Sequence, residues 1–389
     1  MAVAPLSVMP PPLSLYVHLP WCVRKCPYCD FNSYTAASDA PRDRYLDALI
    51  ADLDVEAERA GGRELISVFL GGGTPSFFTP QHIGRLLDAV AERFRTADDI
   101  EITMEANPGT IECGDPAGYR RAGVNRLSIG AQSFAPAALK VLGRIHTVAD
   151  IERSVSEARA SGFDNINIDL MYGLPAQSAA AAILDIEQAV ELRPQHLSWY
   201  QLTLEPNTVF HARPPAGLPD NDEAFEIQRL GEARLAEFGY EQYEVSAYAR
   251  DARRSAHNMN YWSFGDYLAV GAGAHGKITS PDGIWRYAKP ANPNQYMQCI
   301  EGGGYHAELA PVSAADRLFE FMLNALRLTE GVDEALFTAR TGLAVETLRE
   351  RLEKPLRKRL IAPAGGRFWR VTALGRRFLN DLQAEFLPP

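Results

Sequence analysis

Between Leu13 and about Ser246, short β-rich runs alternate with longer helical patterns, and this alternation leaves the chain few architectures to choose from. Candidate strands are Ser14–Leu19, Leu65–Leu70, Glu101–Glu105, Arg126–Gly130, Asn165–Leu170, His196–Leu202 and Glu241–Ala247. Amphipathic stretches separate them: Arg42–Arg59, Gln81–Phe94, Ile151–Ala160, Ala180–Leu192 and Asp222–Phe238. Strands joined by helices of this length run parallel with right-handed crossovers. Six or more such units predict a barrel or part of one.

Several of these strands are polar on one face. Ser14, Tyr16 and His18 oppose Leu15, Val17 and Leu19. Asn165, Asn167 and Asp169 oppose Ile166, Ile168 and Leu170, and the same holds for Glu101, Thr103 and Glu105, for Arg126 and Ser128, and for His196, Ser198 and Tyr200. Successive strand side chains point to opposite faces. With helices over the apolar face, the polar face lines the barrel interior. An ordinary barrel fills that interior with aliphatic side chains, so a polar lumen predicts a cavity for a polar ligand. A solvated antiparallel sheet gives the same alternation, but regular intervening helices disfavour it.

The segment Ala314–Pro389 reads as a separate small unit. Helical patterns cover Ala315–Leu326, Glu334–Thr341 and Val345–Lys358, a hairpin over Leu360–Val371 turns at Gly365–Gly366, and a last helix spans Leu374–Glu385. Three helices and a hairpin resemble a winged helix. Overall charge is 39 − 49 = −10, which argues against broad polyanion binding. From Pro311 onward the balance is 13 − 10 = +3, so this end is electrostatically distinct. Arg357-Lys358-Arg359 is a local basic spot, thin support for nucleic-acid binding. No apolar run approaches the roughly 18 residues of a membrane helix. The opening MAVAPLSVMPPP lacks the basic region of a signal peptide, and the chain reads as cytoplasmic.

Three of the 5 cysteines, Cys22, Cys26 and Cys29, follow the first strand in the run Trp21-Cys22-Val23-Arg24-Lys25-Cys26-Pro27-Tyr28-Cys29. An odd count in a long chain disfavours a secreted disulfide framework. Three thiolates at C-x3-C-x2-C suit three irons of a [4Fe–4S] cluster, with a fourth iron open to a small chelator. Pro20 and Pro27 keep the loop from becoming helical, and Arg24 and Lys25 ease thiolate formation. A zinc site recruiting His18 or Asp30 is the competing reading, although zinc ligands usually come as two separated pairs. An all-cysteine cluster would need Cys113 or Cys299.

The run Tyr16–Tyr34, YVHLPWCVRKCPYCDFNSY, resembles the opening of radical S-adenosylmethionine (SAM) proteins. It is closest to the group holding oxygen-independent coproporphyrinogen III dehydrogenase and the HemW-type heme chaperones. Leu-Gly-Gly-Gly-Thr-Pro-Ser (70–76), Met-Glu-Ala-Asn-Pro (104–108), Ser-Ile-Gly-Ala-Gln-Ser-Phe (128–134), Leu-Gly-Arg-Ile-His (142–146), Asn-Ile-Asp-Leu-Met-Tyr-Gly-Leu-Pro (167–175) and His-Asn-Met-Asn-Tyr-Trp (257–262) carry the likeness across most of the chain. It implies an α/β fold, a partial (β/α)6 TIM-type barrel with a winged-helix-like α+β domain at the C-terminus. The expected division is a flexible segment over 1–12, a core barrel over 13–250, a connecting region over 251–312 and a C-terminal domain over 313–389.

The resemblance also implies roles. Gly72, Gly73 and Thr74 meet the methionyl amino group of SAM, and glycines after a strand do let backbone approach a ligand closely. Glu105 suits an ammonium or ribose hydroxyls. Gln132, Arg144 and Asp169 are further SAM contacts, Arg144 suiting a carboxylate, while Tyr28 lies near adenine and Tyr16 near the cluster. The family chemistry is one-electron cleavage of SAM at the open iron, with the protein supplying binding, orientation and exclusion of water.

Departures divide the subfamilies. The dehydrogenase carries a fourth cysteine where this chain has Phe31, and a longer segment before its cluster than the 21 residues found here. CVRKCPYCDFNS (22–33) matches the HemW type instead. His257 is then the candidate axial ligand of heme, with Tyr261 and Trp262 flanking the porphyrin, and His275 a second candidate. The expected function is a heme chaperone holding a [4Fe–4S] cluster, SAM and heme, and passing heme to acceptor proteins, membrane respiratory enzymes among them, with no nucleic acid involved. The alternatives are the dehydrogenase and a radical SAM protein that modifies RNA.

Overall fold

A computed structural model describes residues 10–37, 40–109, 115–303 and 307–388. Residues 1–9, most of the segment expected to be flexible, lie outside that set, as does Cys113. Among the described residues one sheet has twelve strands. In chain order they are β1 Leu13–Leu19, β2 Glu64–Gly72, β3 Arg95–Ala106, β4 Arg126–Gln132, β5 Ile166–Tyr172, β6 His196–Gln201, β7 Glu241–Glu244, β8 Ala247–Ala249, β9 Asp266–Val270, β10 His275–Ser280, β11 Gly283–Ala288 and β12 Ala310–Pro311. Their spatial order is β12-β11-β10-β9-β1-β2-β3-β4-β5-β6-β8-β7. β1 through β6 are parallel neighbours, and β9 lies parallel to β1 on its other side.

The expected alternation is present. Helices Arg42–Ala60, Pro80–Arg93, Val148–Ala160, Ala179–Glu191 and Asn221–Glu237 cross between or follow the parallel strands. Thr79 with His82, Thr147 with Asp150 and Asp220 with Glu223 form capping boxes that satisfy the first amides of three of them. The strand faces divide as the alternation predicts. Leu15, Val17, Val68, Leu70, Ile166, Ile168 and Leu197 pack under the helices, joined by Leu46, Leu49 and Leu53 of the first. Each such side chain contributes roughly 1.5–3 kcal/mol by leaving water. Gly231, within Asn221–Glu237, is the place where Trp199 lies flat against the helix; a Cβ there would stand 1.9 Å from the indole.

Two parts of the sheet differ from the sequence expectation. Glu241–Ala247 is not a seventh parallel strand but a hairpin, β7 and β8, with β8 antiparallel to β6. A two-residue connection returns the chain beside itself and leaves no length for a crossover. The region 251–312, read as a connecting region with the HNMNYW heme-binding motif, contributes β9, which completes the far side of β1, and then the antiparallel β10, β11 and β12.

Toward the C-terminus, Ala314–Ala325, Glu334–Thr341 and Val345–Arg357 are helices, and the hairpin Ile361–Pro363 with Phe368–Val371 turns through Gly365 and Gly366 at positive φ. The expected last helix is two short ones, Ala373–Arg377 and Leu379–Ala384, parted at Phe378. Gly375 is pinned against the Leu360 carbonyl, and the second piece turns so that Leu382 reaches the core. That core gathers Phe321, Phe337, Leu348, Leu352 and Phe386, together with Phe264 and Ile284 from the preceding region.

Candidate cofactor site

The cysteine loop hangs from the end of β1. Its neck is a parallel pairing of Trp21–Cys22 with Tyr34–Thr35. Trp21 wedges it against Tyr45 and Phe78, with ring centroids 4.9 and 5.8 Å away. Inside the loop the Cys29 amide donates to the Cys26 carbonyl at 3.2 Å, and Lys25 Nζ donates to the carbonyls of Phe31 and Ser33 at 3.0 Å. His18 fixes the far side. Its Nε2 bonds the Asn32 carbonyl at 2.8 Å and its Nδ1 the Tyr16 hydroxyl at 3.0 Å.

Arg144 Nη1 lies 3.5 Å from Cys26 Sγ, and Ser33 Oγ 3.6 Å from Cys29 Sγ. Burial pushes the Cys29 thiol up, which keeps it protonated until a metal displaces the proton. Zinc fits poorly. Both nitrogens of His18 are already bonded, and among the described residues no three His, Cys, Asp or Glu groups converge on one point. An iron–sulfur cluster gives each thiolate its own iron, so its ligands surround it rather than meeting. Cys299 sits on the helix Pro293–Glu301, which packs against the first helix, Arg42–Ala60.

Beyond the loop opens a cavity of about 440 Å³. Cys22, Cys26, Cys29, Tyr28, Gly72, Gly73, Thr74, Glu105, Gln132, Arg144 and Asp169 all line it. Side chains from β2 to β6 thus face one space, as a curled sheet requires. Gly72 has φ +112, and a Cβ there would strike the His18 ring at 2.4 Å; its amide donates to Glu105 Oε2 at 3.1 Å. Thr74 Oγ1 accepts from Asn107 Nδ2 at 2.9 Å, and Asn107 Oδ1 in turn accepts from Arg144, which also reaches the Gly130 carbonyl at 2.8 Å. Asp169 is held by Ser128 at 2.9 Å and by Asn167 and Tyr200 at 2.8 Å. Gln132 takes the left-handed conformation at φ +70, and Tyr28 leans on Phe210.

Burial, and then the charge of Asp169, push the Glu105 carboxyl up to about 8. A site that crowds two carboxylates is short of a cation, and Arg144 stands beside the thiols for a carboxylate. That donor set fits SAM, which carries an ammonium, a sulfonium and a carboxylate. Tyr16 is one layer back from the cavity, its hydroxyl spent on His18. Asn107 and Ser33 were not singled out from the sequence, and Tyr200 was read there only as part of the polar face of its strand.

The floor of the cavity is the helix Ala256–Trp262, which carries HNMNYW. It closes the end where the strands begin: Asn260 Nδ2 donates to Ser14 Oγ at 2.9 Å, and Glu101 of β3 accepts from the amides of Ala256 and His257 at 3.1 Å. His257 turns inward. It is 2 % exposed, its Nδ1 bonds Ser67 Oγ at 2.9 Å, and its ring stacks on Phe69 at 4.9 Å. Burial, and then Arg126, lower its pKa to about 3. The axial role expected of His257 therefore meets an obstacle, because an enclosed ring is out of reach of a macrocycle. Tyr261 packs on Tyr267, and Arg327 lies over the ring of Trp262. His275 is exposed, two residues from Gly273, which packs on Asn32 of the cysteine loop.

Residues 16–186 match the family model of the Radical SAM superfamily, and residues 312–378 that of the HemN C-terminal domain. The heme chaperone HemW of Escherichia coli is 48% identical over 97% of this chain and 98% of its own length. HemW of Bacillus subtilis is 32% identical over 96% and 99%. The mitochondrial radical S-adenosyl methionine domain-containing protein 1 of Bos taurus is 37% identical over 82% of this chain and 74% of its own. The solved structure of coproporphyrinogen III oxidase (HemN) from Escherichia coli superposes with a TM-score of 0.81 at 25% identity, covering 97% of this chain and 90% of that one. With relatives this similar over nearly their whole length, the chain belongs to the HemW heme chaperone family of radical SAM proteins.

Proposed function

We propose that this protein binds heme and delivers it to acceptor proteins, and that it does so as a holder of a [4Fe–4S] cluster and SAM. The observation that carries this is the likeness, 48% identical over 97% of the chain, to a protein named as a heme chaperone. Phe31, in place of the dehydrogenase's fourth cysteine, supports the same side; it is 56 % exposed and supplies no thiolate.

Cys22, Cys26 and Cys29 would hold three irons, and Gly72, Glu105, Gln132, Arg144 and Asp169 the SAM. When bound, the pair supplies one-electron chemistry. The chain's own part is positional. His18 ties the end of β1 to the cysteine loop, Tyr200 and Ser128 aim Asp169 into the cavity, and the helix Ala256–Trp262 shuts water out from below. For the heme iron, the exposed ring of His275 is the better placed nitrogen, and an axial bond from His257 would require the floor helix to swing out.

The test is an anaerobic incubation of the reconstituted protein with heme and, separately, with coproporphyrinogen III. Tight heme binding without protoporphyrinogen formation is expected; steady conversion of coproporphyrinogen would overturn the reading. Heme titrations of His275→Ala and His257→Ala then locate the ligand. A shifted Soret band in the first and an unshifted one in the second is the expected pair, and the reverse would return the role to His257.

A further inference from the structure

Arg126 is the first residue of β4, lies on the lumen face and lines the cavity, and is 2 % exposed. A guanidinium has five donors, and burying one is costly unless those donors are bonded. Arg126 makes no hydrogen bond among the described residues, and its Nε is enclosed without a partner. Among the described residues its ionic neighbour is Glu101, whose Oε2 is 3.8 Å away, beyond hydrogen-bond reach. The oxygens of Glu101 are committed elsewhere, to the Ser255 hydroxyl and to the amides that begin the floor helix. Asp169 is bonded by Ser128, Asn167 and Tyr200 and forms no ion pair with Arg126.

The cavity wall nearby mixes Ser128, Ser198 and Asn258 with the ring of Phe69. The deep end of the lumen thus offers an unbonded, planar, monocationic fork with short polar groups and one apolar wall. We infer that Arg126 seats the carboxylate of a second ligand, bound in the lumen beneath SAM. A carboxylate matches the fork in shape and charge. A phosphate dianion would bring too much charge beside Glu101. The carboxylate can belong to a small free acid or to a propionate arm of a porphyrin, and the inference stands whether or not the protein binds heme.

The experiment uses the full chain with cluster and SAM bound, and propionate as the probe, followed by ligand-observed saturation-transfer NMR. Saturable propionate binding is expected in the wild type, with none for neutral propionamide. Arg126→Gln should weaken propionate at least tenfold and Arg126→Lys less. Asn258→Leu fills the floor without touching Arg126 or Glu101, and should also weaken propionate while leaving the melting temperature in place; it keeps the test alive if Arg126→Gln fails to fold. Displacement of propionate by heme but not by heme dimethyl ester would assign the carboxylate to the porphyrin, and displacement by neither to a free acid. No saturable binding to the wild type, or equal binding by wild type and the variants, would overturn the inference.

Discussion

Glu105 shows how one buried group sets the pH behaviour of the site. In the folded chain its carboxyl holds a proton up to about pH 8, whereas the ordinary value is 4.5. Folding therefore favours the protonated form. That contribution is complete below 4.5 and is lost as the pH climbs toward 8, at up to about 1.4 kcal/mol per pH unit. Without ligand, the melting temperature of the wild type should fall across this window more steeply than that of Glu105→Gln; parallel curves would contradict the assignment. A cationic ligand reverses the preference by expelling the proton. SAM affinity should thus rise with pH in the wild type, and be flat and roughly tenfold or more weaker in Glu105→Gln, the loss expected for one charge-assisted contact. Cys26→Ala should remove the brown absorbance and most of the bound iron while the chain stays soluble, and undiminished iron content would sink the cluster reading. At this scale the cavity was largely legible, because chemistry-bearing residues such as Cys22 and Asp169 sit in short motifs or on polar strand faces. The burial of His257 was not legible for a physical reason: its motif names it, but only the packing of Ser67 and Phe69 shows that the ring points inward.

The floor helix Ala256–Trp262 is too short to hold itself together, and isolated helices of this length are marginal in water. It depends on its cap. Ser255 accepts from the Asn258 amide at 3.3 Å, and Glu101, from a strand 155 residues earlier, takes the amide of Ala256. Glu101→Ala should cost about 2 kcal/mol in urea unfolding and speed amide exchange at Ala256 and His257; unchanged exchange there would show that the cap is dispensable. The parallel strands were legible because helix-covered strands write their burial as alternation. This helix and β9 were not. Seven residues give too few turns for a helical period to register, and Asp266–Val270 is buried on both faces, all five residues of it, so no polar side marks its direction.

Across the whole molecule the antiparallel strands at one end of the sheet are clasped to the helix Arg42–Ala60 by a buried ionic cluster. Lys289, just past β11, donates to Asp52 at 2.6 Å and to Glu56 at 2.8 Å, both on the helix Arg42–Ala60, and Tyr296 donates to Asp52 at 2.8 Å. Lys289→Met would strand two carboxylates, and is expected to cost about 3–5 kcal/mol in equilibrium denaturation; a loss under about 1 kcal/mol would mean that the carboxyls simply take up protons. No local pattern announces such a clasp, since its members lie 237 and 233 residues apart. The same long reach governs β1. It carries the cysteine loop and sits between β2 and β9, yet β9 begins at Asp266. On the ribosome, β1 therefore waits with one edge bare while more than half the chain is made, on the order of tens of seconds. Through that interval the segment Leu13–Leu19 is an unprotected apolar strand edge, open to pairing with another nascent chain. A cluster loaded before β9 arrives would hang from a sheet whose last parallel strand had yet to close against the first.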